Sequence, residues 1–482
     1  MSAAAAEIPE IPKDRRALVA VDLGAESCRV SLLRWQGESA KIELVHRFPN
    51  QAIERDGHLR WDLDGILRGL HEGFLKCAAI ATEGVRSIAV DGWAVDYVRF
   101  DAAGAAMGDP FCYRDERTLA AETALHERIS AQRMREITGV QLQRLNTVYQ
   151  IFADAPALQG CRWLNLPEYV LFTLGGRAVS ERTNATHTQM VELGGAWSEE
   201  IFAALGQSIA LAPELVRPGA DLGEVQGELA KLPAFAGARL IAPACHDTAS
   251  AIAAIPDAGD DWAYISSGTW SLVGTVLHAP INSAAAQEEN FTNLGGVDGT
   301  TCFHKNLNGM WLLRQCMETW ESNGAKLSLA EMLDEAAAVV APQYALDVDD
   351  ADLLLPGDMP ARINAQLRRR GLEPLSDSPK DAAVMVSFLL HSLARRYAQV
   401  LASIAAISGK RFRKVYVMGG GSQNELLNRL TAQATGLEVL RAGVECSTLG
   451  NFAVQLAALE PDGANELRRP VSAWAAKLRK SN

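Results

Sequence analysis

A chain of 482 residues with 48% hydrophobic and 22% charged residues has the composition of an ordinary globular protein, with material for roughly two to four domains. Its net charge of -12 and the lack of a Lys/Arg run of nucleic-acid type argue against a general polyanion-binding surface and against nucleic acid as a partner. No apolar run approaches the roughly 20 residues that span a bilayer, so no membrane partner is expected.

The start, "MSAAAAEIPEIPKDRR", lacks the basic residues and long apolar core of a secretory signal. It reads as a disordered arm over 1–16 on a cytoplasmic protein. "ALVAVDLGAESCRVSLLRW" (17–35) is two β-rich runs around a polar loop. It predicts a hairpin in which Asp22 ends the first strand and Gly24 opens the turn. "AKIELVHRF" follows as a third strand. "WDLDGILRGLHEGFLKCAAIA" has helical spacing, with Asp62 as N-cap. "VRSIAVDGWAVDYVRFD" reads as strand, polar loop, strand. The segment from 116 to 160 reads as mostly helical. "RWLNLPEYVLFTLGG" predicts another helix, with Pro167 near its start and glycines past its end.

"ARLIAPACHDTASAIAAI" (238–255) is a buried strand running into a packed helix, with an imidazole and a carboxylate at the junction. "PDAGDD" (256–261) is a turn-rich connection and divides a first domain, 17–254, from a second, 255–482. The second half repeats the opening theme. "DWAYISSGTWSLVGTVL" (261–277) is again strand, glycine-containing loop, strand, and "RKVYVMGGGSQNELLNRLTAQATG" is strand, triple glycine, helix. A hairpin at the head of each half points to an internally duplicated α/β architecture. The eight cysteines are scattered without a CxxC pair, so neither a zinc site nor a redox motif is indicated and reduced, packed thiols are expected.

Three glycine loops after strands favour close approach of backbone N–H groups to an anion. They are Gly24-Ala25-Glu26-Ser27 with Arg29 beyond, Ser267-Gly268-Thr269, and Gly419-Gly420-Gly421 at a helix start with Asn424 following. Each alone is equally a tight turn. None matches a Walker A or GxGxxG pattern, which disfavours a P-loop or a Rossmann site. Asp247 at its strand-to-helix junction is either a helix cap or a functional group.

In order, "VAVDLGAESCRVSL", "YRDERT", "TNATHTQM", "HDTASA", "SSGTWSL", "VMGGGSQNELLNRL" and "STLGN" resemble the motifs of the FGGY carbohydrate kinases, most closely the branch acting on L-rhamnulose. The resemblance runs from about residue 17 to 460 and implies two ribonuclease-H-like, actin-like ATPase domains flanking a deep cleft. It implies transfer of the γ-phosphoryl group of Mg-ATP to a sugar hydroxyl, with ATP and Mg²⁺ as cofactors. L-rhamnulose at its 1-hydroxyl is the expected acceptor, in a monomer or homodimer. Asp247 then matches the catalytic base, and Asp22 the aspartate holding Mg²⁺ through water. Gly24, Ala25, Glu26, Ser27, Cys28 and Arg29 match the first phosphate loop, with Arg29 able to stabilise the transferring phosphoryl. Gly268, Thr269, Arg314, Gly419, Gly420 and Asn424 fall on the nucleotide side. On the sugar side fall Trp93, Ala94, Asp96, Tyr113, Arg114, His246, Asp247, Thr248 and Asn306; Trp93 is equally readable as core.

Three departures stand out. The branch usually has "DTWGVD" where this chain has "DGWAVD", "GASSGR" where it has "GAESCR", and a glutamine at Arg314. A methyl-sized change in a sugar pocket is worth about 1–3 kcal/mol of discrimination, so L-fuculose or another ketose or polyol is the alternative acceptor. A non-catalytic sugar or nucleotide sensor would lack the base or the metal aspartate. An ATPase without a sugar would have no use for "TNATHTQM" and "YRDERT".

Overall fold

The computed structural model describes residues 9–155, 161–355, 357–460 and 470–481. Of the arm expected over 1–16, residues 1–8 lie outside the described residues. From Pro9 the chain is placed, because the Asp14 carboxylate bridges Arg16 at 2.8 Å and Arg86 at 3.4 Å. Among the described residues no helix is long and apolar enough to cross a membrane. All eight cysteines are free and buried, as packed thiols should be.

The chain forms two compact units. One comprises the chain up to Ala258, Val276–Phe303 and everything from Glu445 onward; the other comprises Gly259–Thr275 and His304–Val444. The first unit is built on a sheet of β1 (Ala17–Leu23), β2 (Ser27–Gln36), β3 (Ser39–Pro49), β4 (Val85–Gly92), β5 (Ala220–Glu224) and β6 (Arg239–Ala242), ordered β5-β6-β4-β1-β2-β3. The expected hairpin forms with Val21 opposite Val30, and β1, β4 and β6 run parallel. β1 is buried along its whole length, so its period-2 alternation serves two cores. Ala17, Val19, Val21 and Leu23 face one that includes the helix Leu63–Ile80, whose N-cap is Asp62. Leu18 and Ala20 face the other, made with Phe452, Ala453 and Trp474.

The second face is covered from beyond the division expected near 254. The helices Cys446–Leu459 and Val471–Ser481 come last in sequence, yet they pack on the first sheet. Their apolar sides bury against Leu18, Ala20 and Leu33, which a both-faces-apolar strand demands. The helical stretch expected over 116–160 is three helices, Thr118–His126, Ala131–Thr138 and Thr147–Asp154, with 156–160 outside the described residues. Ser130 caps the second by accepting from the Arg133 N–H, and Gly139 ends it at φ 63°. Arg162–Asn165 is a strand rather than a helix start, because it pairs with Tyr97–Phe100; the helix begins at Leu166, with Pro167 in its first turn.

In the second unit the opening pattern returns. The sheet includes, in order, β9 (Thr301–Asn308), β8 (Trp270–Leu277), β7 (Trp262–Ser267), β10 (Lys414–Met418) and β11 (Glu438–Gly443). β7 pairs antiparallel with β8 and parallel with β10, as β1 does with β2 and β4. Each half therefore starts with the strand that becomes central.

In the first unit the helices Asp247–Ala253 and Cys446–Leu459 cross at Gly450, where a Cβ would lie 1.7 Å from the Ser250 carbonyl oxygen and 3.1 Å from the Ala254 nitrogen. Both obstacles are backbone, so the helices would have to separate. Gly450→Ala should lose about 1–3 kcal/mol of stability, seen as a lower thermal midpoint; an unchanged midpoint would contradict this packing.

Candidate active site

The parallel strands β1, β4 and β6 deliver three acids to one edge of the first sheet. Asp22 near the end of β1 is in register with Asp91 of β4. Beyond β6 the chain stays beside β4, since the Gly92 N–H donates to the Cys245 carbonyl at 2.9 Å and Gly92 bridges His246. Asp247 follows. The carboxyl ends of parallel strands are where open α/β sheets bind ligands.

Countercharge comes from β2 and from the far end of the chain. Arg29, opposite Asp22 across the hairpin, donates from Nη1 to Asp22 Oδ2 and to Glu445 Oε2, each at 3.0 Å. Ser447 Oγ donates to Asp22 Oδ2 at 2.5 Å, and Asn451 Nδ2 to Asp91 Oδ2 at 2.6 Å. Burial raises Asp22 despite Arg29 and Ser447, with the Asp247 and Glu445 charges adding to the rise. Burial and the Asp22 charge hold Asp91 well above the usual carboxylate range. Asp91 Oδ1 is buried with no partner among the described residues.

Asp247 is the first residue of its helix. The N-cap is His246, and no side chain caps the helix, so Asp247 is not its cap. Its Oδ1 accepts from Thr248 Oγ1 at 3.1 Å and lies 3.5 Å from His246 Nε2. The side chain keeps 34% of its surface accessible. Surrounding protein nonetheless pushes its carboxyl up to about 6, burial outweighing the Thr248 hydrogen bonds and the Arg29 charge. His246 packs edge-to-face on His187 with ring centroids 4.8 Å apart. Burial lowers His246 to about 4 and His187 to about 3, so both are neutral hydrogen-bonding groups at pH 7.

The "DGWAVD" loop leaves β4 beside these acids. Val95 has φ 74°, a strained conformation for a β-branched residue. Thr147 Oγ1 donates to its carbonyl at 2.7 Å. Asp96 is 0% exposed. Its Oδ2 accepts from Trp61 Nε1 (2.6 Å), Trp93 Nε1 (3.0 Å) and the Tyr113 N–H (3.2 Å), and its Oδ1 from Gln150 Nε2 (2.9 Å). Three of these donors reach Oδ2 and one reaches Oδ1, so the carboxylate ties two indoles, an amide and a peptide N–H to the loop. Asp96, expected as a sugar contact, is also a hub that holds the loop. Trp93 is both core and loop: it is buried, 4.5 Å from Trp61 between ring centroids, and next to the buried Ala94. Arg114 is exposed, its guanidinium 5.3 Å from the Tyr113 ring centroid.

In the first glycine loop a Cβ at Gly24 would meet the Ser27 carbonyl oxygen at 2.5 Å. Ala25 is half-buried and Glu26 points outward. Ser27 Oγ accepts from Arg47 Nε at 3.1 Å. The Cys28 side chain is buried in the core and burial pushes its thiol up to about 12, so only its backbone is left to meet a phosphate.

Within the second unit, Gly268, Thr269, Gly419 and Gly420 stand at adjacent strand ends, where Ser266 is in register with Met418. Met310 and Trp311 donate their N–H groups to the carbonyls of Gly268 and Thr269 at 2.9 and 3.2 Å. A Cβ at Gly420 would meet nothing within 4 Å, and one at Gly268 nothing nearer than 3.8 Å, so both present bare backbone to open space. Asn424 caps the helix Glu425–Thr435 through Oδ1, while its buried Nδ2 has no partner among the described residues. Arg314 pairs with Glu318 at 3.0 Å. Asn306 lies in β9 and is half-buried.

Residues that the sequence reading did not single out are Asp91, Glu445, Ser447, Asn451, His187 and Glu181. The signals were that Asp91 opens "DGWAVD", that Ser447 and Asn451 bound "STLGN", and that His187 sits in "TNATHTQM".

Residues 17–254 match the N-terminal domain of the FGGY family of carbohydrate kinases, and residues 263–459 match its C-terminal domain. The chain is 36% identical over 455 residues to a rhamnulokinase of Enterococcus faecalis, covering 92% of this chain and 90% of that protein. It is 35% identical over 442 residues to a rhamnulokinase of Bacteroides thetaiotaomicron, covering 90% and 89%. Among solved structures it is similar in fold to a ligand-bound xylulose kinase from Lactobacillus acidophilus, with TM-score 0.77 at 14% identity and 96% of each chain covered. A gluconate kinase from the same organism gives TM-score 0.76 at 14% identity, again over 96% of each.

If Asp247 must be ionised to act, kcat/KM should fall as pH drops through about 6, tenfold per pH unit below it. An ordinary carboxylate would hold activity to about pH 4. Full activity at pH 5 would count against a raised Asp247.

Proposed function

The chain belongs to the FGGY family of carbohydrate kinases, and on that premise we propose that it transfers the γ-phosphoryl group of Mg-ATP to the 1-hydroxyl of L-rhamnulose. That it is a sugar kinase follows from the family. The choice of sugar is supported by its similarity to two rhamnulokinases over about nine-tenths of the chain. The observation that carries the mechanism is Asp247: an uncapped, partly accessible carboxylate raised to about 6, between a neutral imidazole and a threonine hydroxyl.

The roles then divide. Asp247 accepts the proton of the attacking hydroxyl, since phosphoryl transfer needs a positioned nucleophile more than covalent chemistry. His246 and Thr248 orient the sugar. Arg29, held by Asp22 and Glu445, is aimed by two carboxylates at the edge where negative charge gathers. The bare backbone at Gly268 and Gly420 and the unpartnered Asn424 amide fit a nucleotide. The Asp22 carboxylate fits Mg²⁺ as a hard oxygen donor. Among the described residues no three His, Cys, Asp or Glu side chains gather to hold a metal, and Mg²⁺ that keeps several waters requires no such cage. Bound Mg-ATP supplies the phosphoryl group and the neutralising charge.

A second reading is favoured by one observation. Ala94 adds a methyl, only 8% exposed, next to the strained Val95. A pocket narrowed there selects a different ketose, such as L-fuculose.

An ADP-release assay across ketoses and polyols should give L-rhamnulose the highest kcat/KM; a higher value for L-fuculose would select the second reading, and no sugar-stimulated release would overturn both. Asp247→Asn should lower turnover by about 10²–10⁴-fold with ATP binding, measured by calorimetry, near the parent value. Retained turnover would remove Asp247 from the role of base.

A further inference from the structure

The backbone that leads into Asp247 passes through a buried place with few ways to satisfy its polar groups. Cys245 and His246 are 0% and 6% exposed. On one side the Cys245 carbonyl accepts from the Gly92 N–H at 2.9 Å, and the Ala244 carbonyl from Ser250 Oγ at 2.9 Å. The peptide N–H groups point the other way, and buried N–H groups require partners. Two side chains supply them. The Cys245 N–H donates to Glu181 Oε2 at 2.8 Å, and the His246 N–H to Thr183 Oγ1 at 3.2 Å. Thr183 Oγ1 in turn donates to Glu181 Oε2 at 2.5 Å, and the Thr183 N–H to Glu181 Oε1 at 2.9 Å.

A second buried acid braces the first. Glu168 Oε1 accepts from the Glu181 N–H at 3.1 Å, and its Oε2 from Asn184 Nδ2 at 2.9 Å. Glu168 and Glu181 are 1% and 0% exposed, and burial pushes them up to about 7 and about 8. Two carboxylates without a cation among these partners are a poor way to stabilise a core, because apolar side chains of the same volume do as well or better. Their value lies in geometry. Asp247 opens its helix with no side-chain cap, so the direction of its carboxylate is inherited from the two peptides before it.

We infer that Glu181 and Thr183 are positioning residues for the reaction, clamping the Cys245 and His246 peptides so that Asp247 meets the acceptor hydroxyl at a fixed place. The inference rests on the reading of Asp247 as the base. A displacement of about 1 Å at a reacting group is worth roughly 10²-fold in rate, and it acts on turnover rather than on binding.

Thr183→Val keeps the shape and removes the hydroxyl. With the best acceptor from the sugar panel, its kcat should fall about 10–100-fold per folded molecule, with KM for sugar and for ATP within about threefold of the parent. Thr183→Ser, which keeps the hydroxyl, should recover most of that turnover. Glu181→Gln turns an NH₂ toward donors and should show the same loss in kcat; it carries the test if Thr183→Val does not fold. A folded variant with kcat within about threefold of the parent, or a loss confined to KM, overturns the inference. Asp247→Asn run beside them separates the two readings: turnover retained there removes the base, whereas an inactive Asp247→Asn with a fully active Thr183→Val removes only the clamp.

Discussion

Asp22 and Asp91, in register on neighbouring parallel strands, and Asp247 at the start of the helix beyond a third strand repel one another, and the surrounding residues offset that repulsion. Asp22, Asp91 and Asp247 each feel burial or a neighbouring acid that raises them. The compensation is unequal. Asp22 has Arg29 and a hydroxyl, Asp91 has one amide, and Asp247 has Thr248 and the more distant Arg29 charge. That inequality sorts them by role, since environments that push neighbouring acids apart are how acid and base functions are assigned. Asp247 is the least buried of the three, which is in keeping with the role of base proposed for it.

The segment that supplies part of this compensation explains why the chain returns to its first sheet at the end. Glu445, Ser447 and Asn451 follow one another at the start of the helix Cys446–Leu459. That helix also buries Phe452 and Ala453 on the sheet face that Leu18 and Ala20 line, and Gly450 lets it approach the helix of Asp247 closely. One element thus closes a core and tunes a site. The sugar-side loop follows the same logic at smaller scale. Asp96 draws together two indoles, an amide and a peptide N–H, and that bundle holds Val95 in a conformation it would not adopt alone.

Much was legible from local pattern. The two hairpins, the Asp62-capped helix and the strand-to-helix junction at Asp247 follow from alternation, cap chemistry and turn residues, and all are found where they are expected. What was not legible depends on partners distant in sequence. "RWLN" looks helical beside "LPEYVLF" because only its partner strand Tyr97–Phe100 makes it a strand. The donors on Asp96 were not legible either, because Trp61, Gln150 and Tyr113 lie 17 to 54 positions away.

The sequence by itself determined the element types and the motif order, because helix periodicity, strand alternation and glycine turns are set by neighbours along the chain. Together with the resemblance of its motifs, that was enough to reach a duplicated α/β kinase and to single out Asp22, Arg29 and Asp247. Only the tertiary structure decided what those residues experience. Burial sets the level of Asp247, Glu445 joins Arg29 from 416 positions away, and Glu181 reaches Cys245 across 64. Desolvation and hydrogen bonding act through space, so no local pattern carries them.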